Sequence, residues 1–394
     1  MKSLPLKGNV LVVGNSGVGK STLINAVLGE YHAKTGWGIN GSTKGIKTYE
    51  NESVPFRLID TAGFEPSMLR IATLIHAIQK ECRQRAKDGL SDTNIHMIWF
   101  CVDGVAAKLF PDTIKNLLNA TAVWKSIPII AVITKSYSAP DREKNIKMVQ
   151  DAFHAVKKNG RTPREVIPVV AESFFITEET FAAPYGITEL VKATNDLLPE
   201  GIKVAEDDVA SIIIERKRIL AQSVIGSAAG AAAAVGAIPF PFPDALILTP
   251  IETGLIKAVA SIYDIPKSDD FTKITNMIIS VGTVGVVAKT AISAIKAIPG
   301  INIAASVLNS IIAAGIVLGL GEGCTFVFES IYRGEKTMED INWIKQVMEN
   351  KAVSGVLKAI NDALEKLKEN PEQKDVMKVL FPVIEDLLIK KDTK

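Results

Sequence analysis

The stretch Gly14-Asn15-Ser16-Gly17-Val18-Gly19-Lys20-Ser21 constrains what this chain can fold into more than any other segment of it. It follows an apolar run, Asn9 to Val13, and precedes a helix-periodic one, Ser21 to Leu28, which is the strand, loop and helix setting that the pattern GxxxxGK[ST] needs. Glycines let the backbone curl until its N–H groups, reinforced by the dipole of the following helix, point at a phosphate. Asn15, Ser16, Gly17 and Val18 offer main chain to that phosphate, and a side chain at Gly19 would collide with it. Lys20 reaches the outer phosphates, Ser21 can ligate Mg²⁺, and Thr22 belongs to the same phosphate-facing set.

The surroundings of this loop predict the fold class. Apolar runs at Asn9 to Val13, Phe56 to Ile59, His96 to Val102, Ile127 to Ile133 and Val166 to Val170 alternate with polar, helix-periodic stretches. Runs rich in Val, Ile and Phe without polar alternation are what strands covered on both faces look like. The expectation is an α/β domain with a parallel central sheet over residues 1–200. Trp99 and Phe100, inside a central run, are expected in its core, and His76, His96 and His154 are read as ordinary structural histidines.

A second texture follows. No charged residue occurs between Arg218 and Asp244 or between Lys296 and Glu322, and Ser223 to Pro243 holds seven alanines and three glycines. Residues 201–333 are read as an all-α, Ala/Gly-rich domain. Residues 334–394 are read as amphipathic helices packing on it, divided at Pro371. Ile219 to Ile238 and Ile301 to Leu320 each reach the ~20 residues that span a ~30 Å bilayer core. Alanine and glycine drive partition weakly, however, and Glu252, Lys257, Lys289 and Lys296 in the intervening helices are costly in lipid. A closely packed bundle in water and a membrane-associated bundle both remain open.

Asp60-Thr61-Ala62-Gly63 closes the run Phe56 to Ile59 and has the form DxxG. After a phosphate loop, Asp60 is placed to hold Mg²⁺ through water and the Gly63 N–H to sense the γ-phosphate. With these two motifs, residues 7–198 resemble the P-loop GTPases of the translation-factor class, in particular Era-like bacterial GTPases of the 50S ribosome-binding type, and the septin-like and immunity-related ones. The resemblance implies GTP or GDP and Mg²⁺ as ligands and slow GTP hydrolysis as the activity. It makes Thr43, in Gly41-Ser42-Thr43-Lys44, the counterpart of the switch-loop threonine that ligates Mg²⁺, with Thr35 and Thr48 as competitors. Lys20, Thr43 and Gly63 become the catalytic set, and Ser21, Thr43 and Asp60 the metal set.

Two departures from the family pattern stand out. The guanine-reading motif [NT]KxD should follow Ile127 to Ile133, where Thr134-Lys135-Ser136-Tyr137 is found. Thr134 and Lys135 fit, but one phenolic oxygen at Tyr137 cannot accept the paired guanine N–H donors as a carboxylate does. Asp141 folding back, or main-chain contacts from Val170-Ala171-Glu172, are the alternatives, with Ala171 and Glu172 resembling the family's last base-contacting loop. The water-orienting glutamine after DxxG is replaced by Phe64, which cannot hydrogen-bond water. His32, Lys44, Glu65 and Arg70 are nearby polar residues, each more often a solvated switch-loop residue than a catalyst.

Residues 215–333 resemble a domain of unknown function (family 697) that is fused to bacterial GTPases. The joint expectation is a cytoplasmic nucleotide switch whose helical domain engages a protein partner or the inner face of the cell membrane, peripherally or integrally. Its rival is a scaffold or membrane-anchoring protein that holds nucleotide with little turnover. A homodimer of the GTPase domains across the nucleotide is compatible with the residues. The balance of 45 basic against 43 acidic side chains gives no support to nucleic-acid binding, and a ribosome-assembly role is the less favoured reading. Cys82, Cys101 and Cys324 stand at unrelated spacings, expected as reduced thiols, and the N-terminal run reads as a strand rather than an export signal.

Overall fold

A computed structural model describes residues 7–29, 46–51, 54–61, 95–105, 114–115, 118, 126–156, 161–175, 181–200, 202–203, 206–236, 245–283 and 305–369. The chain divides into two compact units, residues 1–172 with 184–216, and residues 173–183 with 217–394.

The first unit is an α/β layer structure. Its strands are β1 (Gly8–Val13), β2 (Ile46–Tyr49), β3 (Phe56–Thr61), β4 (Met97–Asp103), β5 (Ile129–Thr134) and β6 (Glu165–Pro168). They form a six-stranded sheet in the order β2-β3-β1-β4-β5-β6. All neighbours run parallel except β2, which pairs antiparallel with β3 at the sheet edge, Thr48 opposite Ile59. The apolar runs of the sequence therefore became the five parallel strands, and β2, polar and short, is the addition.

Around the sheet lie α1 (Lys20–Leu28), α2 (Arg142–Ala155) and α3 (Ile187–Leu197). Successive strand residues face opposite sides, so each strand feeds two cores. Leu11, Val13, Ile98, Phe100, Val102, Ala131 and Ile133 pack with Val149 and Phe153 of α2. Trp99, on the alternate face of β4, is fully buried against Phe56 with ring centroids 5.7 Å apart, and its indole N–H donates to Thr194 Oγ1 of α3 at 3.1 Å. Burying both faces is why the strands carry no polar alternation.

The second unit holds a two-stranded antiparallel ribbon, β7 (Phe174–Phe175) with β8 (Phe181–Ala182), and long helices. These are α4 (Glu206–Gly236), inside which the division between units falls, α5 (Ala245–Ile262), α6 (Asp269–Thr283), α7 (Ala305–Tyr332) and α8 (Ile341–Glu369). Residues 237–244 and the second C-terminal helix expected after Pro371 lie outside the described residues. Residues 208–236 and 309–332 are long and apolar enough to cross a membrane, and 89% of the apolar window of the second is buried within the protein.

Small residues explain how α7 and α8 approach. A Cβ on Gly355 would stand 2.5 Å from Gly319 Cα, and one on Gly319 would stand 2.5 Å from Lys351 O. The two backbones are thus in direct contact, and glycine is the residue that permits it. The unit also carries a charged cluster. Arg218 grips Glu329 through two bonds of 2.6 and 2.5 Å, and Arg333 adds a third at 3.0 Å. Burial would raise the Glu329 carboxyl, but the two guanidinium groups hold it below its ordinary range. Lys217 donates to Ile262 O at 2.5 Å and to Asp264 at 2.9 Å.

Candidate functional site

The parallel strands all end at the same edge of the sheet, and the loop of residues 14–19 begins there, directly after β1. In open α/β sheets ligands bind outside the carboxyl ends of the strands, where the chain direction switches across the sheet. Here the switch is at β1, flanked by β3 and β4.

The loop conformation follows from its glycines. Gly17 and Gly19 have φ of 79° and 94°, which side chains rarely tolerate, and a Cβ on Gly14 would stand 2.5 Å from Cys101 O of β4. Gly19 is the N-cap of α1, so the helix starts with its free N–H groups toward the loop. Lys20 is buried and its Nζ donates to Gly14 O at 2.8 Å and Asn15 O at 3.0 Å. The ammonium thus sits inside the loop curl. Asn15, Ser16, Gly17 and Ser21 are exposed, and Thr22 is half-buried.

Asp60 reaches this place through strand pairing. It stands opposite Val12 in the β1–β3 register, one residue before β3 ends, and is buried. Cys101 lies beneath the loop, its thiol pushed up to about 12 by burial, with Lys20 lowering and Asp60 raising it. Lys20 and Asp60 therefore both act electrostatically on one buried thiol. Cys324 is also free and buried. Cys82, Thr35, Thr43, Gly63, Phe64, His32, Lys44, Glu65, Arg70 and His76 lie outside the described residues, and Thr48 is within β2.

The donor set is suited to Mg²⁺. A hydroxyl at Ser21 and a carboxylate at Asp60 are hard oxygen ligands, and Mg²⁺ takes one or two such groups together with phosphate oxygens and water. Among the described residues no group of three His, Cys, Asp or Glu side chains could hold a metal by itself.

The β5 end braces the loop from the other side. Thr134 Oγ1 lies 2.5 Å from Val18 O and 2.9 Å from Val102 O, one hydroxyl proton serving the two acceptors. Lys135, at φ 52°, directs Nζ to Gly17 O at 2.8 Å and to Asp103 Oδ2 at 2.7 Å. Asp103, the last residue of β4, is a functional-site residue that the motif reading missed. Its signal was an aspartate closing an apolar run, the same signal that singled out Asp60.

Beyond Lys135, two loops are stitched together. The Ser136 N–H donates to Val169 O at 3.1 Å, and Val170 exchanges two backbone bonds with Tyr185, at 2.9 and 3.0 Å. Arg142 stacks on the Tyr185 ring at 3.7 Å and donates to Ser136 O at 3.0 Å. Tyr137, Ala171 and Glu172 emerge from this frame. The Tyr137 hydroxyl is pushed above its ordinary value by burial first; Lys135 lowers it, and Asp103 and Glu172 raise it. Asp141 closes a short 3₁₀ turn, Ala139–Asp141, and is exposed, with no side-chain cap on α2.

A family model for the 50S ribosome-binding GTPases matches residues 9–135. The chain is 26% identical over 215 residues to the GTPase Era of Geobacter sp. strain M21, covering 53% of this chain and 61% of that protein. It is 32% identical over 136 residues to the GTPase Der of Caldicellulosiruptor saccharolyticus, covering 33% of this chain and 27% of that one. The chain thus spans less than two thirds of either relative. Among solved structures, the LeoA bacterial dynamin GTPase from ETEC aligns over 97% of this chain and 90% of its own at 12% identity, with a TM-score of 0.32.

Proposed function

From a chain that carries a P-loop GTPase domain of the Era and Der kind, followed by a helical part, we propose a nucleotide-dependent switch. In this reading the first unit binds GTP and hydrolyses it slowly to GDP, and the nucleotide state governs how the helical unit engages its partner.

One observation carries the reading. The ends of β3, β4 and β5 converge on the loop after β1, with Asp60 opposite Val12, Lys135 on Gly17 O and Thr134 on Val18 O. Bonds from Thr134 and Lys135 brace such a loop, and its N–H groups are presented to phosphate oxygens. Ser21 and Asp60 would hold Mg²⁺, which supplies charge neutralisation at the β- and γ-phosphates. Lys20 would exchange its two carbonyl partners for those phosphates. Thr43 would complete the metal set and Gly63 would sense the γ-phosphate. With Phe64 in the position of the water-orienting glutamine, hydrolysis is slow unless another group, from a second GTPase domain or a partner protein, is supplied.

The helical unit is the output. Its most apolar segment, in α7, is largely consumed by packing inside the protein, and half of the apolar window in α4 is buried too, which favours a bundle that meets a protein partner over one that inserts in lipid. In this reading the helical unit acts on a protein.

Three measurements on the full chain test this. Titration with a fluorescent GTP or GDP analogue, with and without Mg²⁺, must give saturable binding that competes with unlabelled nucleotide. Single-turnover decay of bound GTP must exceed its decay in buffer; a bound GTP that never turns over would replace the switch with the scaffold reading. Liposome cosedimentation with GDP and with a non-hydrolysable analogue must leave the protein in the supernatant; nucleotide-dependent pelleting would make the output a membrane.

A further inference from the structure

A GTP site must distinguish guanine from the other bases, and the ordinary device, a carboxylate two residues after the motif lysine, is replaced here by Tyr137. Guanine presents two adjacent donors, N1–H and the 2-amino group, and a carboxylate accepts both with charge-assisted bonds. A phenol offers one oxygen and a proton. If the site reads guanine, an acceptor has to come from elsewhere in the frame around Tyr137.

Three carboxylates at or just after the ends of β4, β5 and β6 come into question. Asp103 is engaged on both oxygens, Oδ1 by the Val105 N–H at 2.9 Å and Oδ2 by Lys135 at 2.7 Å. Asp141 belongs to the exposed 3₁₀ turn that starts α2, beyond the backbone bonds that join the Ser136 and Val170 loops. Glu172 is exposed, and among the described residues no hydrogen bond or ion pair occupies its carboxylate. The frame brings it near Tyr137: Ser136, the residue before Tyr137, is bonded to Val169, and the Val170–Tyr185 bridge anchors the chain two residues before Glu172. Arg142 locks both sides of the frame, stacked on Tyr185 and bonded to Ser136 O.

We propose that the side-chain carboxylate of Glu172 is the specificity-determining group for the base, accepting the N1–H and 2-amino donors of guanine in place of the missing aspartate. Tyr137 then lies beside this carboxylate and its ring walls the base pocket. The assignment rests on the GTP reading of the same site and adds to it the residue that selects the base.

The test is a set of dissociation constants for GTP, ITP, XTP and ATP on the full-length protein with Mg²⁺. ITP lacks the 2-amino group, and XTP presents a carbonyl there instead. The wild type should prefer GTP over ITP by about tenfold or more, because a site built to accept a donor leaves its acceptor unpaired when the donor is missing. Glu172→Gln puts an amide, with a donor as well as an acceptor, in the same volume. It should weaken GTP by about tenfold to a hundredfold and shift the XTP to GTP ratio by at least that much toward XTP. Glu172→Ala should bring GTP and ITP to near-equal affinity. Unchanged ratios in both Glu172 variants overturn the proposal while leaving GTP binding intact, and a shift toward XTP in Asp141→Asn instead assigns the role to Asp141 and also overturns it. A wild type that binds none of the four, or binds them regardless of Lys20, overturns the GTP reading itself.

Discussion

Lys135 Nζ lies 2.7 Å from Asp103 Oδ2 while it donates to Gly17 O at 2.8 Å, so one ammonium ties the ends of β4 and β5 to the phosphate loop. Both partners are partly exposed, with side-chain exposures of 32% for Lys135 and 20% for Asp103. The ion pair is therefore a minor contributor to folding, at most about 1 kcal/mol. Its value is positional, because Lys135 released from Asp103 can leave the Gly17 carbonyl.

Asp103→Asn should keep the melting temperature within a few degrees of wild type, yet raise the nucleotide dissociation rate by about tenfold. Stopped-flow chase of a fluorescent GDP analogue reads this directly. Asp103→Glu, which restores a carboxylate, should recover part of the loss. Equal off-rates in all three proteins would show that Lys135 does not need its partner.

Removing the loop ammonium should be far more costly to binding. Lys20 is buried among the Gly14 and Asn15 carbonyls, poised for the outer phosphates. Lys20→Ala is expected to weaken GTP by about a hundredfold or more, with a smaller effect on GMP, which has no outer phosphates. Equilibrium titration checks it, and equal affinities of variant and wild type for GTP would remove Lys20 from the site.

Stability of the helical unit should depend on pH through Glu252. This residue is buried in α5, Oε2 has no hydrogen-bond partner among the described residues, and burial pushes its carboxyl from 4.5 up to about 7. The folded protein therefore holds a proton between those values that the unfolded chain has released. The contribution is fully present below pH 4.5, is lost at up to about 1.4 kcal/mol per pH unit as pH rises, and is gone above pH 7. Glu252→Gln should raise the melting temperature at pH 8, leave it nearly unchanged at pH 5, and flatten the profile between. A variant no more stable than wild type at pH 8 would contradict the assignment.

Two glycines should respond with opposite signs to the same substitution. Gly355→Ala adds a Cβ 2.5 Å from Gly319 Cα and must push α7 and α8 apart, at about 1–3 kcal/mol. Gly230→Ala, in α4, meets nothing within 4 Å, and helix propensity should stabilise it by up to about 1 kcal/mol. Urea midpoints at constant m-value measure both. Loss of less than about 0.5 kcal/mol in Gly355→Ala would mean the helices are looser than this packing.

Much of the first unit was legible because the signals are local. Val10 to Val13 and Ile129 to Ile133 are apolar throughout, as strands buried on both faces must be, and the glycines at 17 and 19 carry the positive φ that the loop demands. The edge strand β2 was not legible, since Ile46-Lys47-Thr48-Tyr49 is short and polar and becomes a strand only by pairing with β3. Glu252 was legible as a charge but not as a buried one, because burial depends on which helices close over it.

What the sequence determined by itself is the phosphate loop, the alternation of strands and helices and the change of texture near residue 200, all of which depend on residues a few positions apart. What the tertiary structure decided is which distant groups meet. Thr134 reaches Val18 across 116 positions, Lys135 meets Asp103 across 32, and Arg218 meets Glu329 across 111. Strand order and helix crossing set these encounters, and no spacing rule carries them, because a contact made by folding is fixed by the whole packed arrangement and not by the neighbours of either residue along the chain.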